Sequence, residues 1–130
     1  MIMKKGEKVL SFVKFEKELE SAYRERLSAV KRPEETGDVF VEFALKLLNR
    51  VNPSITRNHW DHVRFEPETE NGYKLSKELE QIIGEEILTK SDLPAILKRM
   101  ALNAAHRRKA LLSNTERTDL FRLQEKPEQR

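Results

Sequence analysis

The residues best suited to chemistry cluster at Arg57-Asn58-His59-Trp60-Asp61-His62, which holds two of the three histidines and the only tryptophan. Histidines at i and i+3 with a carboxylate between them put both imidazoles on one side of a helical turn, which is the start of a metal site. A metal needs a third protein ligand, and no acidic residue stands at a spacing that supplies one. The chain has no cysteine, which removes disulfides, thiolate catalysis and every cysteine-containing zinc pattern. Its four glycines, Gly6, Gly37, Gly72 and Gly84, stand alone. There is therefore no phosphate-cradling loop, dinucleotide fingerprint or nucleophile elbow. No metal and no cofactor are expected.

Arg57 and His62 are separated by four residues, with Asn58 directly after the arginine. This pattern resembles the short motif of the HEPN ribonucleases, which are all-helical domains of about this length. The resemblance covers six residues. It implies a metal-independent ribonuclease acting across a dimer interface, with Arg57 steadying the scissile phosphate, His62 doing acid–base work and Asn58 as their polar partner. The chemistry is coherent, because a guanidinium stabilises charge developing on a phosphorane and an imidazole titrating near neutrality moves protons. A second arginine–histidine spacing, Arg99 and His106, lacks the asparagine.

Anion contact is the other chemistry on offer. The formal net charge of +3 is too mild to demand an anionic partner, but its distribution is uneven. Residues 66–89 carry 2 basic and 7 acidic side chains, whereas residues 90–130 carry 10 and 5. Within Ser91–Ser113, Lys98, Arg99, His106 and Lys109 project from the face opposite Leu93 and Leu97. That stripe suits the phosphates of a nucleic acid. The first turn of the segment is apolar (Leu93, Pro94, Ala95, Ile96), so backbone contact rather than base reading is expected. Arg107 and Arg108 fall beside the apolar side and are expected to meet a carboxylate of another helix, from Glu16, Glu85 or Glu86.

The elements that must position these groups are read from periodicity and punctuation. Apolar residues at spacings of three and four from Val9 to Val30 predict a helix over 8–31, with a short strand over Lys8–Phe15 as the alternative. Pro33 stops it. Asp38 caps a helix over 38–51 that is apolar round most of its circumference and so belongs at the centre. A short helix over 54–63 starts at Ser54, and one over 73–89 turns Leu75, Leu79, Ile82, Ile83, Ile87 and Leu88 inward. Gly84, which costs about 1 kcal/mol relative to alanine in a helix, marks close packing there. Ser91 or Asp92 caps a last helix over 92–113, with Pro94 in its first turn and Leu93, Ile96, Leu97, Met100, Ala101, Ala104, Leu111 and Leu112 inward.

The predicted fold is all-α, a single-domain antiparallel bundle of four to five helices. The bundle occupies 1–113, and 114–130 form a partly ordered to disordered tail. No apolar run is long enough to span a membrane, and Lys14, Glu16 and Lys17 break the N-terminal pattern that a signal peptide would need. A cytoplasmic location follows by default, and the Glu, Lys and Arg content would also suit a thermophile. The expected function is a non-catalytic protein-interaction module that binds a protein partner or its own copy, most simply as a homodimer. The alternatives are a phosphate-contacting nucleic-acid binder using Lys98, Arg99, His106 and Lys109, and the ribonuclease using Arg57, Asn58 and His62.

Overall fold

In a computed structural model the described residues are 11–128, with side chains over 11–113. They are mostly helical, with one small antiparallel sheet. The order is α1 (Val13–Ala29), α2 (Glu35–Val51), a 3-10 helix (Arg57–His62), β1 (Val63–Phe65), β2 (Tyr73–Leu75), α3 (Lys77–Ile83), α4 (Glu85–Lys90) and α5 (Leu93–Glu128). The all-α expectation holds broadly, with one small β-hairpin added to the helices, and the helix expected over 73–89 is corrected into a strand and two short helices. Of the helix expected over 8–31, residues 8–10 lie outside the described residues, and Val13–Phe15 are helical rather than strand.

The central element is α2, as its apolar circumference requires. Phe40, Phe43, Ala44, Leu47 and Leu48 are buried completely or nearly so, and α2 packs on α1, α5, β1 and the 3-10 helix. It begins at Glu35, three residues before the expected cap at Asp38. The Glu35 carboxylate turns back to accept the backbone N–H groups of Lys31 and Arg32. Those two bonds hold its carboxyl below the ordinary carboxylate range.

The hairpin follows from alternation over three residues. Val63-Arg64-Phe65 pairs with Leu75-Lys74-Tyr73, and Val63 and Leu75 are buried while Arg64 and Lys74 are exposed. Phe65 and Tyr73 close over Phe40, with ring centroids 5.7 and 6.2 Å away. Gly72 turns the chain into β2 at φ 80°, and a Cβ there would stand 2.9 Å from the Cβ of buried Ala101 in α5. A side chain at 72 would both strain the backbone and push the hairpin off α5. Ser76 then caps α3, its Oγ accepting the N–H of Leu79. Gly84, at φ 99°, breaks α3 from α4. Nothing lies within 4 Å of a Cβ built there, so backbone conformation and not the expected close packing calls for glycine.

The last helix carries most of the expected inward stripe. Leu93, Ile96, Leu97, Met100, Ala101, Ala104 and Leu111 are buried, whereas Leu112 is exposed. Its helical backbone continues past 113 to Glu128. Asp92 does not cap it. The Asp92 carboxylate instead accepts the N–H of Phe12 and the hydroxyl of Ser11, both at 2.8 Å, at the start of α1. Ser91 supplies the hydroxyl that accepts the Leu93 N–H.

Further along the same seam, the Tyr23 hydroxyl donates to the Met100 carbonyl at 2.6 Å, and burial pushes its pKa well above the ordinary tyrosine value. Glu16 is taken by Arg99 through two bonds of 3.1 and 2.8 Å. Arg107 donates to the carbonyls of Leu27, Ser28 and Val30 at 2.9, 3.1 and 3.2 Å. The expected pairing of Arg107 or Arg108 with a carboxylate is thereby corrected. Among the described residues neither makes an ion pair, and Arg107 serves the carbonyls that α1 leaves open at its C-terminal end.

Removing that clasp has a defined outcome. Arg107→Ala is expected to lower stability by about 2 kcal/mol in urea denaturation, because three carbonyls lose a charged donor. Arg108→Ala is expected to stay within about 0.5 kcal/mol.

Candidate functional site

The segment between α2 and the hairpin is pinned by side chains of α2 and its C-terminal cap. Asn49 donates to the carbonyls of Pro53 and Ile55 at 3.2 and 2.8 Å. Asn52 accepts from the backbone and hydroxyl of Ser54 and donates to the Ile82 carbonyl. Ile55 is fully buried. Thr56, not Ser54, caps the short helix that follows. Its Oγ1 accepts the Asn58 N–H at 3.2 Å, while its own N–H donates to Nδ1 of His59 at 3.1 Å.

This segment is two short 3-10 turns joined by a kink at His59 (φ −94°, ψ 20°), and side chains three residues apart still come to the same side. His59 and His62 therefore share a side, with ring centroids 5.6 Å apart. Arg57 and Trp60 share another, and both line a cavity against α1 and α2. His62 lines a separate depression with Asp61, Arg64, Lys74 and Ser76. The structure thus does not bring Arg57 and His62 of one chain into a common depression.

His62 is also engaged. Its Nδ1 is 2.7 Å from Oγ of Ser76, the oxygen that caps α3, and its carbonyl accepts the Ser76 N–H. These bonds fasten the corner to the start of α3. Asn58 is exposed, and its backbone rather than its side chain makes the bond to Thr56. Among the described residues no three His, Cys, Asp or Glu side chains gather closely enough to hold a metal ion.

The cavity beside Arg57 has a volume of about 340 Å³. Leu19 of α1, Leu45 of α2 and Trp60 of the corner give it apolar walls, and Lys46, Arg50 and Arg57 stand around it. Two of those cations are committed. Lys46 reaches Glu42 at 3.4 Å and lies 4.5 Å from the centre of the Phe43 ring. Arg50 is paired with Glu18 of α1. Partial burial pushes the Glu42 carboxyl up, but hydrogen bonds and charge from Arg26 and Lys46 outweigh this and hold it below its ordinary range. Arg57 is exposed and has no partner among the described residues. The sequence singles out Arg57 and Trp60 within one short cluster but does not place Leu19 and Leu45 beside them. The signal joining the first two is the three-residue step from Arg57 to Trp60.

On α5, Lys98, His106 and Lys109 are exposed, with no hydrogen bond or ion pair among the described residues. Arg99 is exposed but bound to Glu16, whose carboxylate raises the already high pKa of the guanidinium. The expected set of four outward cations is therefore three free groups and one that braces α1. Leu102 stands among them at 52% exposure. Glu78 and Glu80 of α3 and Glu85 and Glu86 of α4 are exposed, as is Lys77. No protein-family model, no curated protein and no solved structure matches the chain.

The different duties of Arg57 and His62 are measurable as stability. Arg57→Ala is expected to change it by less than about 0.5 kcal/mol, as an exposed unpaired side chain should. His62→Ala is expected to cost about 1–2 kcal/mol through lost packing and the lost partner of Ser76. Urea denaturation of both variants makes the comparison.

Proposed function

We propose that the chain is a small non-catalytic interaction module that self-associates through the outer face of α5. The exposure of Leu102 supports this best. A large apolar side chain stands half open among Lys98, His106 and Lys109, and covering the remainder would contribute about 1 kcal/mol. The chain carries its own complement to that face in the carboxylates of Glu78, Glu80, Glu85 and Glu86 on α3 and α4. Charge complementarity of this kind selects the partner and its orientation, while the apolar centre supplies affinity. In this reading the helical frame is a bundle in which α1 runs antiparallel to α2 and parallel to α5, and the protein works in the cytoplasm as a homodimer. Among the described residues no helix is long and apolar enough to cross a membrane.

Light scattering tests the proposal directly. The wild-type chain is expected at twice the 15.3 kDa chain mass, and Leu102→Glu at the single-chain mass. A wild-type monomer at roughly 100 µM, well above the dissociation constant of a stable dimer, would contradict it. So would a dimer that Leu102→Glu leaves intact.

Lys98 and Lys109, unpaired among the described residues, favour a second reading, contact with nucleic-acid phosphates. Two such phosphate contacts would make log K fall with log salt at a slope of about −2, and Lys98→Ala with Lys109→Ala would remove most of that slope. Binding of labelled RNA or DNA that ignores salt would exclude it. The ribonuclease reading needs Arg57 and His62 in one site. The protein in EDTA is expected to leave RNA uncut, and cleavage abolished by Arg57→Ala and by His62→Ala would reinstate that chemistry.

A further inference from the structure

The cavity at the 3-10 corner joins an apolar interior to a single uncommitted charge. Leu19, Leu45 and Trp60 approach it from three different elements, and its volume of about 340 Å³ is within the range of small-molecule sites. Glu42, Asn49 and Thr56 line it too, and of the three cations around it Lys46 is held by that same Glu42 and Arg50 by Glu18, so neither is left over for a ligand. Arg57 alone has no partner among the described residues. A ligand that fits must therefore place apolar bulk against the leucines and the indole and bring one negative charge to Arg57. A planar guanidinium matches a carboxylate through two parallel N–H···O bonds. One free cation balances a monoanion and falls short of a doubly charged phosphate. The rigidity of the wall supports a formed site, because Asn49 and Asn52 pin residues 53–55 and Thr56 caps the helix that carries Arg57 and Trp60.

We infer that this cavity is a binding site for a small aliphatic carboxylate, its tail between Leu19, Leu45 and Trp60 and its head on Arg57. The site uses no residue of the α5 face, so it stands or falls separately from self-association.

Trp60 is the only tryptophan and lines the cavity, so its emission reports occupancy of the full-length chain without a label. Octanoate is the probe, with 1-octanol, acetate and inorganic phosphate as comparisons. Octanoate is expected to shift the Trp60 emission saturably, and acetate and phosphate are expected to leave it unchanged. Octanol, which has the tail without the charge, is expected to bind about tenfold more weakly or worse, since a charge-assisted bidentate pair is lost.

Arg57→Ala is expected to bring octanoate down to the level of octanol and leave octanol unaltered. Arg57→Lys, which keeps the charge and loses the fork, is expected to fall between. Circular dichroism checks that both variants keep the wild-type helix content, and the lysine variant carries the test if the alanine variant does not. No saturable change with octanoate up to about 10 mM, near the weak end of measurable affinity, would overturn the inference. Equal binding of octanoate and octanol would also overturn it, as would octanoate affinity indifferent to Arg57.

Discussion

The position of α1 depends on polar bonds made at both of its ends. This helix is rich in charge, and Tyr23 and Leu27 are its buried residues. Val13, Phe15 and Leu19 are only partly buried against the core, so polar bonds to α5 do much to fix where the helix lies. Asp92 receives the N–H of Phe12 and the hydroxyl of Ser11 just before the helix, Arg99 holds Glu16 one turn on, Met100 receives the Tyr23 hydroxyl, and Arg107 closes the last carbonyls. Each bond satisfies a group that a helix end or a buried surface would otherwise leave unpaired. On the other side, Glu18 and Arg26 reach Arg50 and Glu42 of α2. The partner numbers rise along α5 and fall along α2, so the two sets of bonds resist sliding in a common register.

That fixed register has a consequence at the corner. Leu19 forms a wall of the cavity only while α1 is held down, and Arg50 is occupied only while Glu18 faces it. The clasp on α5 thus shapes a site that contains no residue of α5. The same clasp removes Arg99 from the outer cationic stripe and leaves Lys98, His106 and Lys109 around Leu102. Two surfaces with different chemistry result, an apolar cavity with one free guanidinium and an open helix face that mixes cations with leucine.

Much of the helical frame was legible in the sequence. The all-round apolar character of Val39–Val51 marked the central helix, and the three-and-four spacing from Leu93 to Ala104 marked the face that α5 buries. The hairpin was not read because β1 and β2 are three residues each, too short for alternation to stand out from helical spacing, although Asn71-Gly72 marked the turn. The corner is legible only in part. A pattern of Arg, four residues and His does not say which side chains share a depression, and within one chain Arg57 lines a cavity with Trp60 while His62 lines another. Arg107 was placed correctly at the packing edge but given the wrong acceptor. Carboxylates are visible in a sequence, whereas the open carbonyls of a helix end appear only when its last turn is located.

The most direct measurement is native-state hydrogen exchange across α1 and α5. Held by the clasp, the amides around Tyr23–Leu27 are expected to open only with the whole domain, at the same free energy as those of Ile96–Ala104. In Arg107→Ala the α1 amides should exchange faster while those of α5 follow global stability. Wild-type α1 amides exchanging at a free energy several kcal/mol below those of α5 would contradict the clasp, and with it the fixed wall of the Arg57 cavity.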